Sequence, residues 1–147
     1  VEEDIEQLNF NIYLFDEFFA KEIEENNRSA EQFTEKEEKI LLHGHCQQKA
    51  LIGSVYMEKM LSLPKNYSVE VIPSGCCGMA GSYGYEKRHY EKSKQIADLH
   101  LTKAINKADK STIISAPGTS CREQIKHFTQ RKALHPIEIM YNALKTK

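Results

Sequence analysis

Four cysteines and two closely spaced histidines are the residues of this chain whose types and spacing could do chemistry. The cysteines are Cys46, the vicinal pair Cys76 and Cys77, and Cys121. The histidines, His43 and His45, flank Gly44 just before the first cysteine. Thiolates are ligands of soft metals and of iron–sulfur clusters, and imidazole joins thiolate in many zinc sites. Four sulfurs could therefore complete a zinc site or hold one cluster.

The composition does not favour a disulfide framework for these cysteines. The first residues, 1–4, show no signal-peptide pattern, and 147 residues can bury a core without covalent staples. A bond between the adjacent Cys76 and Cys77 would also close a tight, strained ring. Metal or cluster binding is the favoured interpretation, and the alternatives are inert core thiols and a catalytic thiol.

Three short apolar runs predict the strands that would position the cysteines. Residues 39–45, 67–73 and 111–116 predict buried strands. Each is followed by a segment with cysteine: Cys46, then the glycine-rich stretch 74–84 with the vicinal pair, then Cys121. In an open parallel α/β sheet, loops that leave the strands in this way lie at the carboxyl edge. We therefore expect the four thiols to meet in one crevice, although 29 and 43 residues separate the three segments.

Helical spacing of apolar residues predicts the elements between these strands. Helices are expected over residues 8–24, 47–62 and about 85–107, after Cys121, and from Pro136 onward, with 25–38 as a loop. The positions expected to face inward are Ile96, Leu99, Ile105, Ile125, Phe128, Ile137, Met140 and Leu144, and Leu14, Phe18, Phe19 and Ile23 are expected to share one helix face. The fold class is therefore α/β, a small parallel sheet with helices packed on it in Rossmann-like βα repeats. A sheet of three strands is expected, with Thr119 or Ser120 capping the helix after the third strand.

The position of the cysteines favours their thiolate form, and the neighbouring histidines could have either of two roles. Each cysteine segment would precede a helix N-terminus, whose partial positive charge favours thiolate. Strand alternation sends His43 and His45 to the same face. Either one could ligate a metal or hydrogen-bond a ligating sulfur, and the alternative is a strand-end histidine satisfied by the backbone.

Stretch 74–84 matches neither the dinucleotide fingerprint nor the P-loop, so nucleotide binding is not favoured.

Charge divides the chain into two parts. Residues 1–38 carry thirteen acidic and three basic residues, a net charge of −10, and the remainder carries a net +9. We interpret 1–38 as an N-terminal helix with a charged linker and 39–147 as the α/β domain. Interleaved aromatic residues of a nucleic-acid surface are not evident, so no nucleic-acid partner is expected. A hydrophobic content of 40% without an apolar run of ~18 residues indicates a globular domain with no transmembrane segment.

Four segments of the chain resemble the cysteine-rich CCG domain. They are residues 43–51 (HGHCQQKAL), 74–84 (SGCCGMAGSYG), 116–122 (APGTSCR) and 135–136 (HP), within a region of about 39–140. That domain occurs in heterodisulfide reductases, in the iron–sulfur protein of glycolate oxidase and in lactate-utilisation proteins. The chain looks most like the C-terminal part of FAD-linked oxidases that are fused to an iron–sulfur module.

The resemblance implies a site and its ligands. A metal ion, zinc in some relatives, or an iron–sulfur cluster such as [4Fe–4S] would be held by Cys46, Cys76, Cys77 and Cys121. Many members end in Cys-x-x-Cys, whereas Gly118 stands at the first of those two positions here. This departure leaves a site of four sulfurs, with His43 or His45 available as a further ligand.

The resemblance also implies a place in a larger protein. The chain would be a C-terminal fragment of an FAD-linked 2-hydroxyacid dehydrogenase of the D-lactate or glycolate type, and its parent would supply FAD and ferredoxin-type clusters. Electrons would pass from the flavin to this domain or onward to a quinone or soluble carrier, and the isolated domain would not be active alone. We expect a cytoplasmic location, with peripheral membrane association through the parent as a further option. The alternative is a structural zinc-binding or docking domain without an electron-transfer role.

Overall fold

The computed structural model describes residues 12–25 and 30–145. Within them lie four strands: β1 Glu38–Leu42, β2 Tyr67–Val71, β3 Ile113–Ser115 and β4 Ala133–Leu134. The seven α-helices of the same residues are α1 Phe15–Glu25, α2 Cys46–Leu51, α3 Val55–Leu61, α4 Tyr90–Leu99, α5 Leu101–Lys107, α6 Thr119–Thr129 and α7 Pro136–Ala143. All strand pairs are parallel, in the order β2-β1-β3-β4, so the predicted α/β class is confirmed. No helix among these residues is both long and apolar enough to cross a bilayer.

Helices cover both faces of the sheet because the side chains of a strand alternate between its faces. On one face, Ile40 and Leu42 of β1 belong to an apolar cluster with residues of α3, α7 and Phe33. On the other face, Leu41 packs with residues of α5 and α6 and with two of the cysteines. The central strand is therefore buried on both sides, as its run of apolar residues predicts.

The order of the strands creates a crevice at the carboxyl edge of the sheet. From β1 the chain crosses to β2 on one side and then returns to β3 on the other side of β1. Where the winding direction reverses in this way, the loops after the two central strands diverge and leave room for a ligand. The loop that follows β1 contains His43, and the loop that follows β3 leads to Cys121.

The structure differs from the sequence-based expectations in the number of strands and the continuity of the helices. A fourth strand, β4, was not predicted, because two residues are too few to show a periodic pattern. The helix expected over 47–62 is divided between α2 and α3, because Gly53 adopts a left-handed φ of +76°. The helix expected over about 85–107 is preceded by two 3₁₀ turns and is interrupted at His100. The helix expected over 8–24 begins at Phe15, and residues 8–11 lie outside the described part of the chain.

The interruption at His100 changes which residues face the core. Leu99 was expected to point inward but is 63% exposed, whereas Leu101 and Ile105 of α5 are fully buried. Ile105, Ile125 and Met140 are buried as predicted, Ile96 and Phe128 are half-buried, and Ile137 and Leu144 are exposed. In α7 the buried residues are Pro136, Ile139, Met140 and Ala143, so only Met140 of the expected stripe is buried. In α1 the buried residues are Asp16 and Ala20, and Leu14 and Phe18 are exposed.

Candidate metal centre

Three side chains that are distant in sequence meet at the carboxyl edge. One ligand atom from each of His43, Cys77 and Cys121 lies within 4.8 Å of the others, and all three residues are buried. His43 directly follows β1, Cys77 lies in the loop after β2, and Cys121 occupies the first turn of α6 after β3. The sheet topology thus brings two of the four sulfurs together, at the edge where the spacing of the strands predicts them. We refer to these three residues as the His43–Cys77–Cys121 group.

The two ring nitrogens of His43 have different surroundings. Its Nδ1 shares a hydrogen bond of 2.7 Å with the hydroxyl of Ser74. Its Nε2 is buried and has no hydrogen-bond partner within the described chain. When Nδ1 carries the proton and donates it to Ser74, Nε2 keeps the lone pair that a metal requires. A buried nitrogen without a partner costs free energy, so this atom points to a ligand.

The other predicted site residues lie around this group. Cys46 is the first residue of α2, and Cys76 precedes Cys77 in the loop, each with partial exposure. Neither belongs to the set of ligand atoms within 4.8 Å of one another, but both lie close enough for their charges to raise the pKa of Cys121. All four cysteines are free thiols.

His45 occupies space beside Cys121 that the absence of a side chain at position 118 leaves open. A β-carbon placed on Gly118 would lie 2.5 Å from Cδ2 of His45 and 3.1 Å from the sulfur of Cys121. The imidazole therefore reaches the edge of the group, but it is not one of its three members. Of the two predicted histidines, the structure brings His43 into the group and leaves His45 next to it.

The two buried thiols differ in their affinity for a proton. The hydrogen bond with Cys121 holds the pKa of Cys77 well below its usual value, and the neighbouring His43 ring and the N–H of Met79 lower it further, against the effect of burial. The hydrogen bond with Cys77 raises the pKa of Cys121, and burial adds to the increase. The two groups titrate as a coupled pair, in which the surroundings favour the thiolate at Cys77 and the protonated thiol at Cys121.

Two expectations about helix N-termini are wrong. The vicinal cysteines do not precede a helix directly, since α4 begins only at Tyr90, after two 3₁₀ turns. The N-cap of α6 is Gly118, with no side-chain cap from Thr119 or Ser120. The low pKa of Cys77 therefore comes from its neighbours rather than from a helix dipole. By contrast, Pro136 is the first residue of α7, as predicted, and His135 caps that helix with a capping box.

The supporting roles of several polar residues were not identified from the sequence, which placed Lys49 near the crevice but with only a solvated or packing role. Ser74 orients His43, and the Lys49 ammonium donates to the carbonyl oxygens of Ser74 and, at 2.9 Å, Gly75. Gln124, buried in α6, donates to the carbonyl oxygen of Cys77 at 3.0 Å. One signal could have identified Gln124: it lies three residues after Cys121 and next to Ile125, so it shares the apolar side of the helix.

Comparison with known proteins finds relatives among dehydrogenases. The chain is 30% identical to D-2-hydroxyglutarate dehydrogenase of Escherichia coli K12 over 141 residues, which are 95% of this chain and 13% of the relative. It is 34% identical to the enzyme of the same name from Pseudomonas putida over 100 residues, 67% of this chain and 10% of the relative. It is 28% identical over 106 residues to one of the subunits of anaerobic glycerol-3-phosphate dehydrogenase of Escherichia coli K12, 72% of this chain and 26% of the relative.

The chain matches only a small part of each of these relatives. It spans 13% or less of the two D-2-hydroxyglutarate dehydrogenases and about a quarter of the glycerol-3-phosphate dehydrogenase polypeptide. No family model matches, and no solved structure matches. The chain is therefore similar to one part of redox dehydrogenases, as the resemblance implies, while no family model confirms a CCG domain.

Proposed function

We propose that this chain is a cysteine-ligated redox domain of an FAD-linked 2-hydroxyacid dehydrogenase, and that it binds an iron–sulfur cluster. The observation that supports this most is the His43–Cys77–Cys121 group, with its two buried sulfurs and an unpaired imidazole nitrogen. Soft sulfur ligands select iron–sulfur clusters, copper(I) or zinc over hard cations. The similarity to dehydrogenases over 95% of the chain makes an electron-transfer role the natural use of such ligands.

The residues present fit a centre of this kind. His43, Cys77 and Cys121 would form its buried side, and Cys46 and Cys76 would supply sulfurs from its partly exposed side. A bound cluster would supply one-electron chemistry at the crevice. The Ser74 hydroxyl would keep the imidazole of His43 in its ligating orientation, and the apolar residues behind the group would limit the access of water.

We propose that the substrate and the flavin are bound elsewhere in a larger protein. The D-2-hydroxyglutarate dehydrogenases contain most of their length outside the part that this chain matches. In this proposal, residues 39–147 form the redox domain, 1–38 form a helix and linker, and the partners are FAD-binding and ferredoxin-type domains. Free thiols at one rim suit a reducing compartment, so we place the domain in the cytoplasm, with peripheral membrane association through the parent as an option.

Metal analysis followed by anaerobic reconstitution tests the proposal. The chain is purified without oxygen, its iron, sulfide and zinc are measured, and iron and sulfide are then supplied. We expect a brown product with a charge-transfer absorption and an EPR signal on reduction. His43→Gln should weaken binding of the cluster, whereas His100→Gln, a matched change at an exposed histidine of the α4–α5 break, should not. A colourless product without bound iron would contradict the proposal.

A structural zinc site is the second candidate function. Three sulfurs and one imidazole form a common tetrahedral zinc ligand set, and the group provides two sulfurs and the imidazole, with Cys46 or Cys76 for the third. Stoichiometric zinc in protein from unsupplemented cells, together with no uptake of iron on reconstitution, would favour this function. Zinc has no redox activity in proteins, so an electron-transfer role would then be excluded.

A further inference from the structure

Two buried polar side chains form hydrogen bonds with the backbone of the loop that contains the vicinal cysteines. Gln124 of α6 donates through Nε2 to the carbonyl oxygen of Cys77 at 3.0 Å and to the hydroxyl of Ser93 at 2.7 Å. Ser93 of α4 in turn donates to the carbonyl oxygen of Gly78 at 2.8 Å. Gln124 is 5% exposed and Ser93 is 1% exposed. Two successive carbonyl groups of the loop are therefore fixed by one side-chain pair.

Fixing these carbonyl groups also fixes the N–H groups of the same peptides. The described chain contains no cis peptide bonds, and in a trans peptide the C=O and N–H bonds point in opposite directions. The carbonyl of Cys77 points toward Gln124, so the N–H of Gly78 points outward, where it donates to the sulfur of Cys76 at 3.2 Å. The carbonyl of Gly78 points toward Ser93. The N–H of the same peptide, that of Met79, donates to the sulfur of Cys77 and lowers its pKa.

The backbone at Gly78 is shaped to allow this arrangement. Its φ of +93° lies in the region that glycine adopts without strain. A β-carbon at this position would lie 2.2 Å from the carbonyl oxygen of Ser93. The loop therefore passes against α4 closely enough for the short serine side chain to reach it.

We propose that Gln124 and Ser93 are positioning residues that direct backbone N–H donors onto the sulfurs of Cys76 and Cys77 and thereby set the metal affinity and the reduction potential of the centre. This inference rests on the proposed function, because it assigns a ligand role to those sulfurs. Hydrogen bonds to ligating sulfurs are among the factors that set the reduction potential of a cluster. An N–H donor withdraws electron density from a thiolate and stabilises the reduced centre, so loss of the donor lowers the potential.

Two variants and a matched control test the inference. Gln124→Met removes the donor with little change in side-chain volume, and Ser93→Ala removes the hydroxyl. Gln95→Met makes the same change at an exposed position of α4. In the metal-free protein, we expect the amide protons of Gly78 and Met79 to exchange about tenfold faster in both variants, measured by NMR, with no change in the control.

Binding of cobalt(II) provides the second measurement. We expect the two variants to bind it 10- to 100-fold more weakly than the unchanged chain, the usual effect of losing a residue that orients a ligand. The thiolate-to-cobalt absorption should also move to lower energy, because the sulfur lone pairs lose a hydrogen bond. The reconstituted cluster should show a lower reduction potential in the variants than in the Gln95→Met control.

The outcomes separate this inference from the proposed function. If the unchanged chain binds neither cobalt nor a cluster, the proposed function fails, and with it the role in tuning a metal. If it binds cobalt but both variants keep its affinity, absorption and amide exchange, the inference alone is overturned. If Gln124→Met does not fold, the Ser93→Ala variant decides the question by the same measurements.

Discussion

The two edges of the parallel sheet differ: one contains a large cavity, and the other contains side chains of the types that bind metals. The amino edge holds a cavity of about 620 Å³, lined by apolar residues and by polar or charged residues such as Lys36, Glu38 and Tyr67. The carboxyl edge holds the His43–Cys77–Cys121 group, whose ligand atoms lie within 4.8 Å of one another. The amino edge has the cavity, but Lys36 and Glu38 in its lining already pair with each other. The carboxyl edge keeps a buried nitrogen without a partner.

The comparison shows which property of a site indicates a ligand. A wide cavity whose polar groups are paired or reach water has no need of an occupant. A buried soft-donor group with an unsatisfied atom does, because that atom has lost its hydration. Its donors, rather than its volume, therefore make the carboxyl edge the candidate functional end of this sheet, and substitutions at the two edges should have unequal effects.

The largest expected effect is the loss of metal from the carboxyl edge. Cys77→Ser removes a buried sulfur from the group and should weaken metal binding by more than ~100-fold, since loss of a residue that only orients a ligand already costs ~10- to 100-fold. Cobalt(II) titration followed by absorption measures this. Tyr67→Phe, at the cavity of the amino edge, should leave the affinity unchanged. Equal losses in both variants would contradict the assignment of the site.

The next effect concerns the backbone of the carboxyl edge. Gly78→Ala should lower the free energy of unfolding by about 3 kcal/mol, because it combines an unfavourable φ with a close contact to the carbonyl oxygen of Ser93. Urea denaturation measures the change. Gly75→Ala is the matched control, since no atom lies within 4 Å of its added β-carbon, and it should change stability by less than ~0.5 kcal/mol. A similar loss in both variants would show that the loop is uniformly sensitive and not specifically strained at 78.

A pair of lysine substitutions compares the two edges directly. Lys49→Met removes the bonds to the carbonyl oxygens of Ser74 and Gly75, and should cost about 1 kcal/mol, or a Tm lower by ~2–4 °C. Lys36→Met at the amino edge removes the ion pair between the exposed Lys36 and Glu38 and should leave Tm nearly unchanged. Thermal unfolding followed by circular dichroism measures both. If Tm falls equally in the two variants, the bonds of Lys49 have no special role in holding the loop.

The smallest effect is expected at Asp16, where α1 contacts α2. Its carboxylate accepts a hydrogen bond from Gln48 at 2.6 Å, but burial raises its pKa above that of an unfolded chain. A raised pKa means that the protonated form stabilises the fold, and this contribution is lost as the pH rises through the folded-state pKa. Asp16→Asn should therefore increase the free energy of unfolding at neutral pH by less than ~1 kcal/mol. It should also reduce the decrease in stability between acidic and neutral pH. Urea denaturation at several pH values measures this, and a destabilised variant at neutral pH would contradict it.

The sequence predicted the fold class and the convergence of two of the four cysteines because both depend on strong patterns. Three apolar runs, each followed by cysteine, are sufficient to place Cys77 and Cys121 at one edge of a parallel sheet. The breaks at Gly53 and His100 were not predicted, because a local backbone change moves the buried face of a helix without changing the overall spacing of its apolar residues. Leu99 and Leu101 exchange roles for this reason.

The supporting polar residues were not predicted because their roles depend on tertiary contacts. Ser74, Ser93 and Gln124 are ordinary residues of a loop or helix until the sheet brings them to the cysteines. The same applies to the two histidines, because β1 ends at Leu42 and the strand alternation expected over 39–45 does not reach them. Only the structure shows that His43 enters the group, whereas His45 lies over Gly118.

The position of the His45 ring restricts how this centre could be altered. Any side chain introduced at position 118 would place its first carbon 2.5 Å from that imidazole and 3.1 Å from the Cys121 sulfur. A fifth thiol at 118 and the present placement of His45 thus exclude each other sterically. The change from glycine to cysteine would require the His45 ring to turn away from Cys121 or a smaller residue to replace it, so the two positions are sterically coupled.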